Sequence, residues 1–254
     1  RRVATSDDLE LSAYLEIAKG LEGVGADAQQ SVNEGIVVVD FGSQYSHLIA
    51  RRIRELKVYS EIAPATENWE SVRHMNPKGI ILSGGPASVY AEGAPQIPDW
   101  VFERGLPILG ICYGMQLLAR HAGGKVQQAQ RREYGFAEVE STGNARLFDE
   151  ISPKTIVWMS HGDHVAVPPA GWSVAARSEN CPVAAMVDQD GRCFGLQFHP
   201  EVTHTREGTK LIRAAPPFPQ SMRSRVRWTR PPSLSPAPTP AAPRDLRCVG
   251  DDAE

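Results

Sequence analysis

Residues 107–121 read PILGICYGMQLLARH, a short apolar run that passes directly into a helix-forming segment. Gly110 and Gly114 stand two positions before and two positions after Cys112. This spacing is typical of a nucleophile elbow, a sharp strand-to-helix turn that strains its central residue and leaves room only for small residues around it. The stretch therefore predicts a buried strand, a tight turn at Cys112 and a helix that begins directly after the turn.

Upstream of this stretch, apolar runs alternate with helical patterns. The runs lie at residues 36–40, 58–63 and 79–83. The first of them, IVVVD, is a β-branched run of the kind that is buried on both faces of a sheet. Alternation of strands and helices predicts an α/β fold with a mostly parallel central sheet flanked by helices.

Downstream of residue 133 the pattern changes to short strand candidates separated by Gly, Pro, Asn and Asp. They lie at residues 137–140, 156–159, 172–176, 183–187 and 193–198. Short strands with turn residues between them are typical of antiparallel pairing. We therefore expect an antiparallel C-terminal extension of the sheet, whose last strand returns to the centre.

The composition is that of a globular domain with flanking segments. Of the 254 residues, 41% are hydrophobic and 22% are charged. We place the compact domain at residues 35–214 and an N-terminal extension, with the apolar spacing of a short helix, at residues 1–34. A tail at residues 215–254 is rich in proline and arginine, a composition that predicts disorder because it cannot bury enough apolar surface.

Charge and cysteine usage argue against several classes of function. The net charge of −3 argues against nucleic acid or an anionic membrane as partner, and no apolar run approaches the roughly 20 residues that span a bilayer. The four cysteines are scattered without a C-x-x-C pair, which argues against a disulfide framework or a zinc site and suits the reducing cytoplasm. We interpret HGDH at residues 161–164 as a loop with solvated histidines rather than a metal site.

Cys112 is the candidate nucleophile. At the start of a helix, the positive end of the helix dipole favours the thiolate, which is the reactive form of the side chain. The alternative is an inert structural cysteine beside turn glycines, and the pentapeptide GICYG alone does not decide between the two.

A second motif, FHPE at residues 198–201, closes the last predicted strand. Side chains at the carboxyl ends of parallel strands meet at one rim of the sheet, so this motif should lie near Cys112. A cysteine nucleophile needs a base, and the base needs a carboxylate that orients it. His199 and Glu201 supply these two groups. A lone histidine at a strand end is usually structural, but its combination with Cys112 favours catalysis.

A third motif, SGGP at residues 83–86, follows the third predicted strand. Its glycines allow backbone N–H groups to approach a substrate closely, as an oxyanion hole requires, whereas a plain tight turn is the simpler interpretation of the motif alone. The motif lacks the Gly-Lys-Ser/Thr ending of a phosphate loop, so we discount phosphate binding here.

Together, the three motifs resemble those of the class I glutamine amidotransferases. More narrowly, the segments VVVDFGSQYSHLIARRIRE (37–55), GIILSGGPASVYAEGAP (79–95), REYGFAEV (132–139) and WMSHGDHV (158–165) are similar to the amidotransferase domains of GMP synthases. The resemblance extends over about residues 36–212, and its separated motifs agree in order and spacing.

The resemblance implies a glutaminase activity with a Cys-His-Glu triad. Cys112 would attack the side-chain amide of glutamine, His199 would protonate the leaving ammonia, and Glu201 would orient His199. The resemblance further implies an oxyanion hole formed by the backbone N–H groups of Gly85 and Tyr113. It also implies contacts to the amino and carboxylate groups of glutamine from Gln116, Ser160 and His161.

The use of the ammonia follows from the same resemblance. In GMP synthases the ammonia passes to an ATP-pyrophosphatase domain, which binds ATP and magnesium and aminates XMP to GMP. We expect neither a cofactor nor a metal ion on the amidotransferase domain. The SGGVDS-type phosphate loop of the partner domain does not occur in residues 1–254, so we expect the chain to supply ammonia to a partner rather than to make GMP itself.

Two alternative hypotheses stay open at the level of the sequence. The chain could be another class I amidotransferase or a γ-glutamyl hydrolase, although the segments DFGSQY and SGGPASV favour the GMP synthase type. It could instead be a truncated, non-catalytic fragment that binds partners without turnover.

Overall fold

The computed structural model describes residues 34–143, 145–215 and 218. The short helix expected near the N-terminus and the disordered tail fall on residues outside these ranges, so both stay predictions. Within these ranges, no helix is both long and apolar enough to cross a bilayer.

A single sheet of nine strands runs through the described residues. The strands are β1 (Gly35–Asp40), β2 (Tyr59–Pro64), β3 (Pro77–Leu82), β4 (Ile108–Ile111), β5 (Lys125–Ser141), β6 (Lys154–Val167), β7 (Ser173–Arg177), β8 (Ala185–Val187) and β9 (Cys193–Leu196). Their spatial order is β2-β1-β3-β4-β9-β8-β7-β5-β6.

The sheet is parallel in one half and antiparallel in the other. Neighbouring strands pair in parallel from β2 to β9 and antiparallel from β9 to β6. The predicted fold class is therefore confirmed, an α/β fold with an antiparallel C-terminal extension. The last strand, β9, lies between β4 and β8, so its predicted return to the centre of the sheet is also confirmed.

The helices of the described residues follow the strands of the parallel half and close the domain at its C-terminal end. They are α1 (Ser46–Glu55), α2 (Trp69–Val72), α3 (Trp100–Glu103), α4 (Tyr113–His121) and α5 (Gly208–Ala214), with 3-10 turns at Arg73–Met75 and Arg146–Phe148. The helix predicted to begin directly after Cys112 is α4.

The core lies on both faces of the parallel strands. In β1, Val38 packs in the apolar layer that contains Ile53 of α1, and Val39 packs in the opposite layer that contains Met115 of α4. These side chains are fully buried, and each contributes about 1.5–3 kcal/mol through removal of its apolar surface from water. Burial on both faces explains why β1 is a continuous β-branched run rather than an alternating one.

Strands β5 and β6 form a long antiparallel ribbon that the sequence analysis underestimated. Only residues 137–140 and 156–159 were expected as strand, whereas β5 extends from Lys125 to Ser141 and β6 from Lys154 to Val167. The prediction that residues 161–164 form a loop was wrong, because they lie in β6 opposite β5. Polar and charged residues dominate this part of the ribbon, and a bulge between Gln128 and Glu133 interrupts the alternation that marks a strand.

The elbow at Cys112 has the predicted geometry. Cys112 has φ 51° and ψ −106°, a region that residues other than glycine rarely occupy. A Cβ atom at Gly110 would lie 2.7 Å from the carbonyl oxygen of Gly114 and 2.7 Å from the backbone nitrogen of Met115. A Cβ atom at Gly114 would overlap the carbonyl oxygen of Leu82. Both glycines are therefore required by the close contact of α4 with β3 and β4.

We predict that Gly110→Ala destabilises the protein. The added methyl group must displace the backbone of α4, which should lower the free energy of unfolding by about 1–3 kcal/mol. Urea denaturation of the two proteins measures the difference. Gly162→Ala is the matched control, because its Cβ would meet nothing closer than Arg132 Nε at 3.7 Å, and it should change stability by less than about 0.5 kcal/mol. Equal stability of wild type and Gly110→Ala would contradict the packing argument.

Candidate active site

Cys112 lies at the carboxyl end of β4 and is 5% exposed. Its backbone N–H donates a hydrogen bond to Leu196 O at the end of β9 (2.7 Å), and its carbonyl oxygen accepts one from the backbone N–H of Gln116 (3.1 Å). The nucleophile is thereby tied to the neighbouring strand on one side and to the first turn of α4 on the other.

His199 and Glu201 follow β9 and are buried together. The backbone N–H of His199 donates to Trp158 O (3.0 Å), and the hydroxyl of Thr205 donates to His199 O (2.6 Å). The side-chain atoms His199 Nδ1 and Glu201 Oε1 are 2.7 Å apart. Because both side chains are nearly inaccessible and the backbone on either side of Pro200 is held, the carboxylate sets the orientation of the ring.

Cys112 and His199 meet beside Gly84. A Cβ atom at Gly84 would lie 3.3 Å from His199 Cε1 and 3.8 Å from Cys112 Cβ, so the two side chains flank this glycine from adjacent positions. Burial alone lowers the pKa of His199, but the charge of Glu201 and the hydrogen bonds to Cys112 and Glu201 together raise it well above its usual value. The ring therefore lies between the side chain of Cys112 and the carboxylate of Glu201, and both neighbours favour its protonated form.

The SGGP turn packs against the elbow. The hydroxyl of Ser83 accepts a hydrogen bond from the backbone N–H of Phe41 (3.1 Å) and donates to Gly84 O (2.9 Å). A Cβ atom at Gly85 would lie 3.0 Å from the ring of Tyr113 and 3.1 Å from Phe41 O, so glycine is needed for this close approach. Gly85 thus packs against the ring of Tyr113, and these two residues, whose N–H groups form the predicted oxyanion hole, both line the space next to Cys112.

A pocket of about 440 Å³ opens above Cys112. Its lining includes the six predicted residues Cys112, Gly85, Tyr113, Gln116, Ser160 and His161. Arg132 and Asp163, which were not predicted as site residues, bring charges of opposite sign to the same lining. Both stand within segments that carry the family resemblance, which was the available signal. His199 and Glu201 are not in the lining and lie behind Cys112.

A second glutamine beside the nucleophile was also missed. Gln197 is fully buried, and its side-chain Nε2 lies 3.7 Å from Cys112 Sγ. Gln116 donates to Gln197 Oε1 (3.3 Å) and to Asp163 O (2.8 Å), so the two amides form a chain from the pocket wall to the sulfur. The signal in the sequence was an amide in an otherwise apolar strand end, two residues before His199.

His161 is buried, and the prediction of a solvated side chain was wrong for it. His161 Nε2 lies 3.1 Å from Glu133 Oε2 on the neighbouring strand, and the hydroxyl of Ser178 donates to Glu133 Oε1 (3.3 Å). Burial alone raises the pKa of Glu133, but the hydrogen bonds from His161, Asn180 and Ser178 lower it overall. The sequence pattern did not reveal this contact, because it joins two strands directly after a bulge.

Glu133, His161 and Cys181 bring one potential metal-ligand atom each to within 4.8 Å of the others. Burial and the charge of Glu133 raise the pKa of the Cys181 thiol to about 12, so this thiol is neutral. The oxygens of Glu133 already accept hydrogen bonds. The cluster is therefore a hydrogen-bonded group that supports the pocket wall from beneath.

We predict a pH dependence of stability that Glu201 controls. The folded pKa of His199 lies well above its usual 6.5, so between these values the folded state holds a proton that the unfolded state has lost. The free energy of unfolding should therefore fall as the pH rises through this window. Glu201→Gln removes the main charge that raises the pKa, so the fall should become smaller.

Urea denaturation at several pH values measures this slope in the wild-type chain and in Glu201→Gln, which both keep Cys112 and its contribution to the pKa of His199. Glu61→Gln, which removes a carboxylate beside the exposed ring of His74, is the control and should keep the original slope. An identical slope in Glu201→Gln would show that this carboxylate does not hold the proton on His199.

Comparison with known proteins identifies the family. The model of the family "Glutamine amidotransferase class-I" matches residues 37–215. The GMP synthase (glutamine-hydrolyzing) of Thermomicrobium roseum is 54% identical over 180 residues, which are 71% of this chain and 34% of the relative. That of Geobacillus kaustophilus is 55% identical over 180 residues, with 71% of this chain and 35% of the relative covered. The chain thus spans about a third of the length of these relatives.

Solved structures agree with this assignment. A putative GMP synthase subunit from Thermoplasma acidophilum superposes with a TM-score of 0.63 at 29% identity and covers 76% of this chain and 94% of its own. A glutamine amidotransferase from Thermotoga maritima has a TM-score of 0.58 at 20% identity, covering 75% of this chain and 98% of its own, which supports the fold alone. The strained cysteine, the buried histidine–carboxylate pair and these matches place the chain in the class I glutamine amidotransferase family.

Proposed function

We propose that the chain hydrolyses glutamine to glutamate and ammonia, with Cys112, His199 and Glu201 as catalytic triad. The observation that carries the proposal is the contact of a strained, pocket-lining cysteine with a histidine ring that a buried carboxylate holds at 2.7 Å. A structural cysteine has no need of such a partner. A cysteine nucleophile needs a positive ring to stabilise its thiolate and to supply a proton to the leaving group.

The first half of the reaction forms a thioester. The sulfur of Cys112 attacks the side-chain carbonyl carbon of glutamine, and the electron pair of the C=O bond moves to the oxygen. We assign the stabilisation of this oxyanion to the backbone N–H groups of Gly85 and Tyr113. His199, whose Nδ1 is held by Glu201, gives its Nε2 proton to the nitrogen, the C–N bond breaks, and ammonia leaves.

The second half returns the enzyme to its starting state. His199 is now neutral and takes a proton from a water molecule, whose oxygen attacks the thioester carbonyl. The C–S bond breaks, glutamate leaves, and the thiolate of Cys112 forms again beside the imidazolium. The sum is glutamine plus water to glutamate plus ammonia.

The charges of the pocket suit the two ends of an amino acid. Arg132 offers a cation for a carboxylate, and Asp163 offers an anion for an amino group. Gln116, Ser160 and His161 lie in the same lining and add polar groups. A glutamine side chain that reaches Cys112 leaves its amino and carboxylate groups at this charged wall.

We predict that Cys112→Ala abolishes glutamine hydrolysis, because no other group in the lining can form the thioester. Ammonia release, followed by a coupled glutamate dehydrogenase assay, measures the loss. Cys193→Ala is the control: burial raises the pKa of this thiol to about 12, it lies outside the pocket lining, and the variant should keep wild-type activity. Hydrolysis that survives Cys112→Ala would refute the proposal and favour a non-catalytic binding role.

We further propose that the ammonia serves the amination of XMP to GMP on an ATP-pyrophosphatase domain. Support comes from relatives more than 50% identical that are named GMP synthases and are about three times as long as the matched segment. An aromatic surface beside the pocket also supports a partner. Tyr134 and Phe136 of β5 are 66% and 67% exposed, and Phe136 packs edge to face on Trp158 of β6.

We predict that the chain, mixed with the ATP-pyrophosphatase part of a related GMP synthase, forms GMP from glutamine, XMP, ATP and magnesium. Chromatography of the nucleotides measures the product. Ammonium chloride in place of glutamine is the control for the partner alone. If GMP forms from ammonium but not from glutamine while free ammonia is released, the chain belongs to a different synthase or acts as a plain hydrolase.

We propose a cytoplasmic location for this activity. Cys112, Cys181 and Cys193 are free thiols in the described part of the chain, and a reducing compartment preserves a nucleophilic thiol.

A further inference from the structure

We propose that Gln197 is a fourth catalytic residue, whose side-chain amide donates a hydrogen bond to the sulfur of Cys112 and stabilises its thiolate, and that Gln116 fixes the direction of this amide. The inference rests on the proposed function, since it concerns the reactive form of the same nucleophile. It adds a group that contacts the reacting atom besides the triad's proton donor.

The backbone holds Gln197 at the sulfur. Gln197 follows directly on β9, and its backbone N–H donates to Ala184 O (2.9 Å). The preceding residue, Leu196, accepts the backbone N–H of Cys112 (2.7 Å). The side chain of Gln197 is fully buried, so it has lost its alternative partner, bulk water. Its Nε2 lies 3.7 Å from Cys112 Sγ, within the usual range for a hydrogen bond to sulfur.

Gln116 determines which end of the amide faces the sulfur. An amide can be placed in two orientations that differ only in the exchange of O and N, and the hydrogen-bond network decides between them. Gln116 Nε2 also donates to the carbonyl oxygen of Asp163 (2.8 Å), so its NH₂ group is fixed toward Gln197. The exchanged orientation of Gln197 would place NH₂ against NH₂ and an oxygen against the sulfur. Oε1 therefore faces Gln116, and the N–H groups face Cys112.

The sulfur of Cys112 needs a hydrogen-bond donor near Ser160 when it becomes negatively charged. In the neutral form, Cys112 Sγ–H donates to the carbonyl oxygen of Ser160 (3.6 Å). After the proton has moved to His199, the same oxygen faces a negative sulfur and repels it. The N–H group of Gln197 offsets this repulsion in a buried place, where a hydrogen bond to a charged acceptor is stronger than in water.

The titratable groups around the sulfur come from three directions. His199, with Glu201 behind it, approaches from the end of β9. Cys181 approaches from the turn between β7 and β8, and its pKa of about 12 keeps it neutral. The pocket side brings His161 and Asp163 of β6 and Arg132 of β5. A substitution of Gln197 leaves all of these groups in place. A shift in the pH at which Cys112 ionises in such a variant therefore reports the loss of the amide.

The test compares Gln197→Met and Gln197→Glu with the wild-type chain. The thiolate of Cys112 is followed by its ultraviolet absorbance against pH, with the matching Cys112→Ser protein as blank. Gln197→Met keeps the length of the side chain but removes the donor, and the midpoint should rise by about one pH unit, as expected for loss of one hydrogen bond to a charged group. Alkylation by iodoacetamide near neutral pH should slow by about tenfold.

Gln197→Glu keeps the shape of the side chain and replaces the N–H donor by a carboxylate. The midpoint of the Cys112 titration should therefore rise at least as far as in Gln197→Met. This variant serves as the measurement if Gln197→Met fails to fold. Gln189→Met is the control at an exposed position and should titrate like wild type.

An unchanged midpoint in the folded Gln197 variants overturns the inference, whatever the glutaminase activity. If the midpoint rises but the wild-type chain releases no ammonia from glutamine, the inference about Cys112 stands and the proposed function fails. The two outcomes are therefore distinguishable.

Discussion

The site depends on the parallel pairing of β4 with β9. Residues far apart in the chain become neighbours because the backbone N–H of Cys112 donates to Leu196 O at the end of this pair. The same pairing brings His199, three residues after Leu196, to the sulfur. A shift of one residue in this register would turn every side chain of β9 to the opposite face and separate the nucleophile from its base. The central position of β9, buried between β4 and β8, prevents such a shift.

The burial of charges in this place has a cost that the surrounding network offsets. An imidazolium and a carboxylate lose their hydration when they are buried, and a pair of this kind is favourable only if it is close and well oriented. The 2.7 Å contact and the backbone bonds of His199 to Trp158 and Thr205 meet this condition. The elbow adds strain at Cys112, which the close packing of α4 against β3 holds in place. The stability of the sheet thus offsets the cost of holding a reactive thiol in this position.

Local chemistry made the elbow, the parallel half and the returning last strand predictable. Small residues around Cys112 and the β-branched run of β1 have few alternative explanations. The FHPE motif can supply a base and a carboxylate to the thiol only if it lies close to it. The ribbon of β5 and β6 was less visible, because a bulge interrupts it and its buried face includes polar residues such as Thr155 and His161. The His161–Glu133 pair and the amide of Gln197 could not be predicted, because both contacts arise only when separate strands and α4 come together.

The ribbon also carries two surfaces side by side. Its β5 strand carries Arg132 in the pocket wall and, four residues further, the exposed ring of Phe136, while β6 carries Ser160 and, two residues before, Trp158. Strand pairing joins Phe136 to Trp158 and Tyr134 to Ser160, whereas Arg132 lies in the bulge between Gln128 and Glu133. The exposed aromatic rings and the pocket wall are therefore built from the same pair of strands.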